Sequence, residues 1–338
     1  MTVSVAEAGP RGRRPAVFLA APFVLGAAMT GVAQLTGLRS LLFPEGVALA
    51  WGAWAMGRGD WCRLGPRLVL APVLCAACGL AAAILLPSRL AAELAALSAA
   101  FVVLAVLRAW VGPALSAAVL PAVAGIHSWA YVLSVATITA VISGGILIRD
   151  RRVAPRQSPV PRPAAPAARA SPGRPASPGR PLMTWAIAAA WLAIAAGLAL
   201  PLAASAPPLL VAAFEWINGQ GRRDAREGIR VTAALTVTWT IGAVIASHVP
   251  SIAAAGAASL LAAAAVIGVG RVTFAPLLAI ALVPLVLGAP AAPSGVLEGA
   301  CAVASAVAVL FLSGSLARMF PGATWLRRII DSAITRSQ

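Results

Sequence analysis

The strongest constraint on this 338-residue chain is its set of apolar runs, which come in two groups of six. The first group covers roughly 16–36, 41–57, 68–86, 90–107, 111–126 and 130–148, and the second roughly 182–204, 206–218, 231–248, 252–269, 273–289 and 296–316. Such segments must be buried in a protein core or face lipid, and composition decides between the two. Hydrophobic residues make up 60% of the chain and charged residues 11%, whereas a soluble domain is about 25% charged. There is too little charge to cover a water-facing surface, which sets aside a soluble enzyme, a secreted module and a disordered chain. The expected fold is an all-α polytopic membrane protein. Several runs fall short of the ~20 residues a straight span needs. Runs two and five of each group are short and carry Pro, so they are expected to be broken or re-entrant, which is tolerated only where protein or a cavity covers the backbone.

The charge is lopsided, with 26 Lys+Arg against 10 Asp+Glu, a net +16, and every basic residue is Arg. In a soluble chain this excess would point to nucleic acid; in a membrane protein it collects in cytoplasmic loops. With the N-terminus inside and all twelve runs crossing, 24 Arg fall on the inner side and only Arg39 and Arg89 outside. The expectation is a multi-pass protein of a bacterial cytoplasmic membrane with both termini cytoplasmic and no nucleic-acid partner. Arg without Lys, with abundant Ala, further suggests a high-GC genome. The expected organisation is a cytoplasmic tail (1–15), a first membrane repeat (16–148), a Pro/Arg-rich cytoplasmic linker (149–181), a second membrane repeat (182–316) and a cytoplasmic tail (317–338). The first 14 residues resemble the start of a signal peptide, but the run after them is long and no cleavage site precedes Arg39, so an uncleaved first span is expected. The linker carries nine Pro and eight Arg and repeats Ser-Pro-Gly-Arg-Pro at 171–175 and 177–181. It reads as an extended connector able to dock a cytoplasmic partner or anionic lipid. In the last tail, Trp325, Leu326, Ile329, Ile330 and Ile334 lie at helical spacing, the pattern of a short amphipathic helix on the inner membrane surface, with a frayed polar tail as the alternative.

Sliding the chain by 163 residues aligns the two groups without a gap. Pro44 falls on Pro207, Gly79 on Gly242, Pro87 on Pro250, Ser88 on Ser251, Pro121 on Pro284 and Gly125 on Gly288. An even number of crossings per unit predicts two parallel six-segment repeats, a common transporter plan. Two motifs recur at that offset. Arg-x-Gly-x-Arg stands at Arg63–Arg67 and again at Arg226–Arg230, where two Arg flanking a flexible Gly can present guanidinium donors to an anion; the plain alternative is a cytoplasmic turn. The second motif is Arg108…Pro113…Pro121, repeated as Arg271…Pro276…Pro284. Pro within a membrane run breaks the helix, and broken helices near the midplane often form substrate sites. The alternative is an Arg that snorkels to the inner surface.

The Pro66-Arg67 start of one run, Gly79 twelve residues later, and the Pro-led small-residue stretches Val111-Gly-Pro-Ala-Leu-Ser-Ala-Ala and Phe274-Ala-Pro-Leu-Leu-Ala-Ile-Ala together resemble the HPP family of integral membrane proteins. Both stretches lack the namesake His and one Pro, and the resemblance covers each half separately, which would make this chain a fused pair. Some members are linked to nitrite transport, so the resemblance implies a small anion.

Four carboxylates, Glu45, Glu93, Glu215 and Glu298, lie in or beside apolar runs, and an intramembrane carboxylate is a functional candidate. Glu45 is expected at the outer interface beside Arg39. Glu215 is the candidate for proton coupling, or else pairs with an inner Arg such as Arg222. Cys75 and Cys78 form a CxxC inside an apolar run and read as small hydrophobes, with a redox or metal site as the alternative. The two His are placed at outer ends, and Trp51, Trp54, Trp61, Trp110, Trp129, Trp216 and Trp325 read as interfacial anchors. Thr232, Thr236, Thr238 and Thr240 make one run unusually hydroxylated, suited to interhelical bonding or a polar path. No nucleotide or hydrolase motif is present, so no enzyme activity and no cofactor are expected. The sequence reading is a transporter or permease for a small anion, with Arg67, Arg108, Arg230, Arg271, Pro113 and Pro276 at the substrate site between the repeats. A non-transporting membrane scaffold or partner subunit docking through the Arg/Pro-rich linker 149–181 is the alternative, and the expected partners are a homo-oligomer or a cytoplasmic protein bound through 149–181.

Overall fold

A computed structural model describes residues 16–57, 59–153, 179–218, 224–288 and 292–319. Most of the expected linker, the first tail and nearly all of the last one lie outside these residues, as do Arg222 and Trp325. The described residues form helices and no strand. This follows from the apolar composition: a chain in lipid must satisfy its N–H and C=O groups within each segment.

Among the described residues, eight helices are long and apolar enough to cross a membrane. They are α1 (Ala16–Thr36), α4 (Arg67–Leu85), α5 (Arg89–Leu107), α7 (Ala130–Val153), α8 (Gly179–Gly197), α10 (Ala225–His248), α11 (Ile252–Gly270) and α13 (Pro293–Met319). Four helices are short: α2 (Pro44–Ala50), which continues into a π-helical turn at Trp51–Ala55, α6 (Gly112–Ala124), α9 (Pro207–Asn218) and α12 (Pro276–Leu287). One further turn, α3 (Gly59–Cys62), precedes α4. The short helices are runs two and five of each group. Pro113 and Pro276 lie in their first turns, where the missing N–H costs nothing. Pro121 and Pro284 lie inside helices that continue past them. Pro113 and Pro276 therefore begin short helices, and Pro121 and Pro284 do not break them.

Helix starts fall at the 163-residue offset with little drift: 16 and 179, 44 and 207, 89 and 252, 130 and 293. The caps match too. Ser88 accepts from Ala91 N at the start of α5, and Ser251 accepts from Ala254 N at the start of α11. Arg108 (φ 50°) and Arg271 (φ 49°) end those two helices in the left-handed region, a conformation usually left to Gly. A Cβ on Gly79 would collide with the Ala118 carbonyl, and one on Gly242 with that of Ala281. Glycine is what lets α4 lie against α6, and α10 against α12, at backbone contact.

Each half is completed by the other. α1 packs on α11, and α8 packs on α5. Gln34 Oε1 accepts from Ile252 N at 2.6 Å, and Trp185 Nε1 donates to Ser98 Oγ at 3.1 Å. The short helices cross over in the same manner: α2 lies against α12 and α9 against α6. Every residue of Pro44–Ala50 is buried, as are 112–123, 207–217 and 276–286. The long helices keep exposed apolar faces, such as Val102, Val106, Leu133, Leu261 and Val269. The molecule is thus a wall of long helices around four short ones that are buried except at the half-buried last residues Ala124, Asn218 and Leu287.

Candidate functional site

The four short helices form a junction between the halves, and the described functional residues are best located against it. Gly112, the first residue of α6, faces Val211, Phe214 and Glu215 of α9. At the matching place, Ala48 of α2 clusters with Ala275 and Ala279 at the start of α12. Aromatic rings close one side: Trp110 stacks on Phe214 at 6.4 Å, with Phe101 edge-on to Phe214 at 6.5 Å. Glu215 is 7% exposed and stands where α9 meets the start of α6. The residue picked from sequence for proton coupling is therefore at the boundary between the halves.

Glu45 is the clearest departure from the sequence reading. It is not interfacial beside Arg39 but 1% exposed, in the first turn of α2. Neither carboxylate oxygen completes a hydrogen bond, although Ser116 of α6, itself fully buried, faces it. Tyr131 of α7, fully buried, donates to Ala117 O of α6 at 2.9 Å, next to Ser116. The length of a run reveals nothing about which of its ends is covered by a neighbouring helix, and this is why the burial was missed. Glu93 is also fully buried and ion-pairs with Arg89 one turn earlier (Nε–Oε1 2.9 Å), while Glu298 is exposed.

The predicted substrate residues separate into two sets. Pro113 and Pro276 are buried at the starts of α6 and α12, in the junction. Arg67, Arg108, Arg230 and Arg271 are exposed. They lie at one end of the helix wall, the end where α4 and α10 begin and α5 and α11 finish. Arg230 Nη2 donates to Gly270 O at 2.7 Å, which brings it beside Arg271. Arg149 belongs to the same end and ties α7 to the π-turn, donating to Ala53 O at 2.7 Å and to Cys62 Sγ at 3.2 Å. Arg39 is exposed and Arg89 begins α5, both at the opposite end.

Several other expectations change. Trp54, Trp61 and Trp216 are buried and act as internal spacers, because the ends of short helices lie inside protein. Trp54 Nε1 donates to Ile142 O at 3.0 Å, and Trp216 Nε1 donates to Ser315 Oγ at 3.2 Å. Trp51 and Trp110 are half-buried, and Trp129 is exposed as an interfacial anchor would be. The hydroxyls of Thr232, Thr236 and Thr240 each donate to a carbonyl one turn back in α10, and that of Thr238 is buried without a hydrogen bond, so none of the four bonds to another helix among the described residues. Cys75 and Cys78 are free thiols. No group of three or more His, Cys, Asp or Glu suited to a metal ion occurs among the described residues.

A cleft of about 550 Å³ opens between α10 and α11, lined by Arg230 and otherwise apolar residues. It lies on the wall of the second half and not in the junction. No protein-family model matches the chain, and neither a curated protein nor a solved structure matches it. The architecture and the side-chain chemistry carry the functional argument alone. They define a multi-pass, all-helical membrane protein.

Proposed function

We propose that the chain is a permease built from two parallel six-segment repeats, with its solute path along the junction of α2, α6, α9 and α12. The observation that carries this reading is the set of four short helices buried on all sides, two from each half, meeting where the halves exchange partners. Short helices inside a wall of long ones leave helix ends at depth, and helix ends present free N–H and C=O groups to a solute. The matched starts, caps, left-handed Arg and close-packed Gly at the 163-residue offset support the repeat.

On this reading the basic end faces the cytoplasm, following the positive-inside rule, in a bacterial cytoplasmic membrane. The solute is a small anion, as the resemblance to the HPP family suggests. Arg67, Arg108, Arg230 and Arg271 collect it at the inner mouth, because their exposure fits capture from water better than binding at depth. Glu215, beside the start of α6, takes a coupling proton as the halves move. The test is uptake of nitrite, chloride and inorganic phosphate into proteoliposomes under a pH gradient. Uptake that falls at least about tenfold in Arg108→Ala/Arg271→Ala, and loses its pH dependence in Glu215→Gln, supports the mechanism. Absence of flux for every anion, or full flux in both variants, refutes it.

A further inference from the structure

The α10–α11 cleft has no part in the junction, and its chemistry is of another kind. Its walls are apolar along both helices: Ala233, Val237 and Ile241 on α10, and Ala262, Ala265 and Val269 on α11. From Arg230 to Ile241 the cleft follows α10 for about 16 Å at 1.5 Å per residue. That is about half of a ~30 Å hydrocarbon core, or one leaflet. Arg230 stands at its basic end, fixed there by the bond from Nη2 to Gly270 O, its other guanidinium N–H groups making no hydrogen bond among the described residues. Arg226 lies one helical turn before Arg230 on the same face of α10, and Arg271 follows Gly270; all three are exposed. The acidic neighbours at this helix start are Asp224, engaged in capping through Glu227 N at 2.7 Å, and Glu227.

The first half provides an internal control. At the same offset it keeps the cations, as Arg63, Arg67 and Arg108, but replaces Ala233 with Leu70, Val237 with Leu74, Ala265 with Val102 and Gly270 with Leu107. Smaller side chains at these four positions widen the cleft, while Ile241 and Val272 stand where the first half has Cys78 and Ala109. Gly270 has no positive φ that would call for glycine, and a Cβ there would meet only Val272 at an ordinary 3.5 Å. Its smallness serves the space.

We infer that the α10–α11 cleft binds an anionic phospholipid of the leaflet at the basic end, with one acyl chain in the cleft and the phosphate held by Arg230, Arg226 and Arg271. An apolar slot one leaflet deep fits an acyl chain, and three guanidinium groups at its mouth select a negative headgroup over a zwitterionic one. The inference stands whether or not the chain transports an anion.

The experiment is native mass spectrometry of the full chain in detergent, with dioleoyl phosphatidylglycerol or dioleoyl phosphatidylcholine added back. The expected result is one retained phosphatidylglycerol, favoured over phosphatidylcholine by about tenfold or more. Arg226→Ala/Arg230→Ala/Arg271→Ala should remove that preference. Ala233→Leu/Ala265→Val/Gly270→Leu, which imports the filling of the first half and leaves every Arg, should lose the bound lipid. The reciprocal Leu70→Ala/Val102→Ala/Leu107→Gly should gain a second phosphatidylglycerol, and this keeps the test alive if the filled variant does not fold. Equal retention of the two lipids by the unaltered chain, full preference in the triple-Ala variant, or displacement of the lipid by inorganic phosphate alone would each overturn the assignment.

Discussion

The two halves carry the same motif in two conformations. In the first, Arg63-Leu-Gly-Pro-Arg67 forms a turn in which Gly65 adopts φ +56°, and α4 begins only at Arg67. In the second, Arg226-Glu-Gly-Ile-Arg230 is helical, because Asp224 caps α10 five residues earlier than the offset would place its start. Pro66 supplies part of the reason. It disfavours the helical region for Gly65 before it, whereas Ile229 at the matching place imposes no such restriction. The short helices differ as well: α2 closes in a π-turn held by Arg149 and Trp54, while α9 remains α-helical to Asn218. A shared pattern of Arg, Gly and Pro has thus fixed where helices lie, and the residues between them have given each half its own basic end.

The largest effect should come where the halves agree. Gly79→Val and Gly242→Val each drive a side chain into a backbone carbonyl, so each should cost about 3 kcal/mol or more. The readout is thermal unfolding of the purified chain in detergent. Tolerance of one substitution alone would break the equivalence of the α4–α6 and α10–α12 contacts. Next is a difference, since the offset partner of Glu45 is Pro208. Removing a buried carboxylate that lacks hydrogen bonds should stabilise the fold, so Glu45→Leu is expected to gain about 1–3 kcal/mol. A loss in the same assay would mean that Ser116 holds the carboxylate more firmly than its geometry indicates.

Smaller effects sharpen the comparison. Arg108→Gly and Arg271→Gly relieve a left-handed residue and should each stabilise by about 1 kcal/mol, while anion uptake falls. Higher melting with unchanged uptake would leave both arginines as caps only. Gly65→Ala should destabilise by about 1 kcal/mol because of its positive φ. Gly228→Ala should stay within about 0.5 kcal/mol, the gain in helix propensity being offset by its close contact with Trp216. Equal responses would show that the two Arg-x-Gly-x-Arg segments share one conformation in solution.

Helix positions were readable in the sequence wherever an apolar run ended in punctuation. The run 16–36 is α1 and the run 252–269 is α11 to within a residue, since Ser251 and the Leu86-Pro87 type of boundary mark ends by local chemistry. The shortness of runs two and five was readable for the same reason. What could not be read is everything set by a neighbour. The burial of Glu45 depends on α6 and α7 covering it, and the inward turn of Trp54 and Trp216 depends on α7 and α13. The cleft depends on smaller side chains at Ala233, Val237, Ala265 and Gly270, which still read as part of two continuous apolar runs. The predicted Arg and Pro fell at the same helix boundaries, yet only the Pro are in the junction, because sequence spacing carries no radial coordinate.

The exchange of first helices also bears on the order of assembly. α1 leaves the ribosome well before α11, its partner, which begins 218 residues after Gln34. At about 5–20 residues per second, α1 waits on the order of 10–40 s in the membrane for the surface it will pack against. The exposed small-residue face that includes Gly26 and Thr30 must stay unclaimed for that time, held by lipid or by an insertion factor. Truncation before α11 should then leave α1 bound to whatever guards it, a trapped intermediate of biogenesis that crosslinking from position 30 would capture.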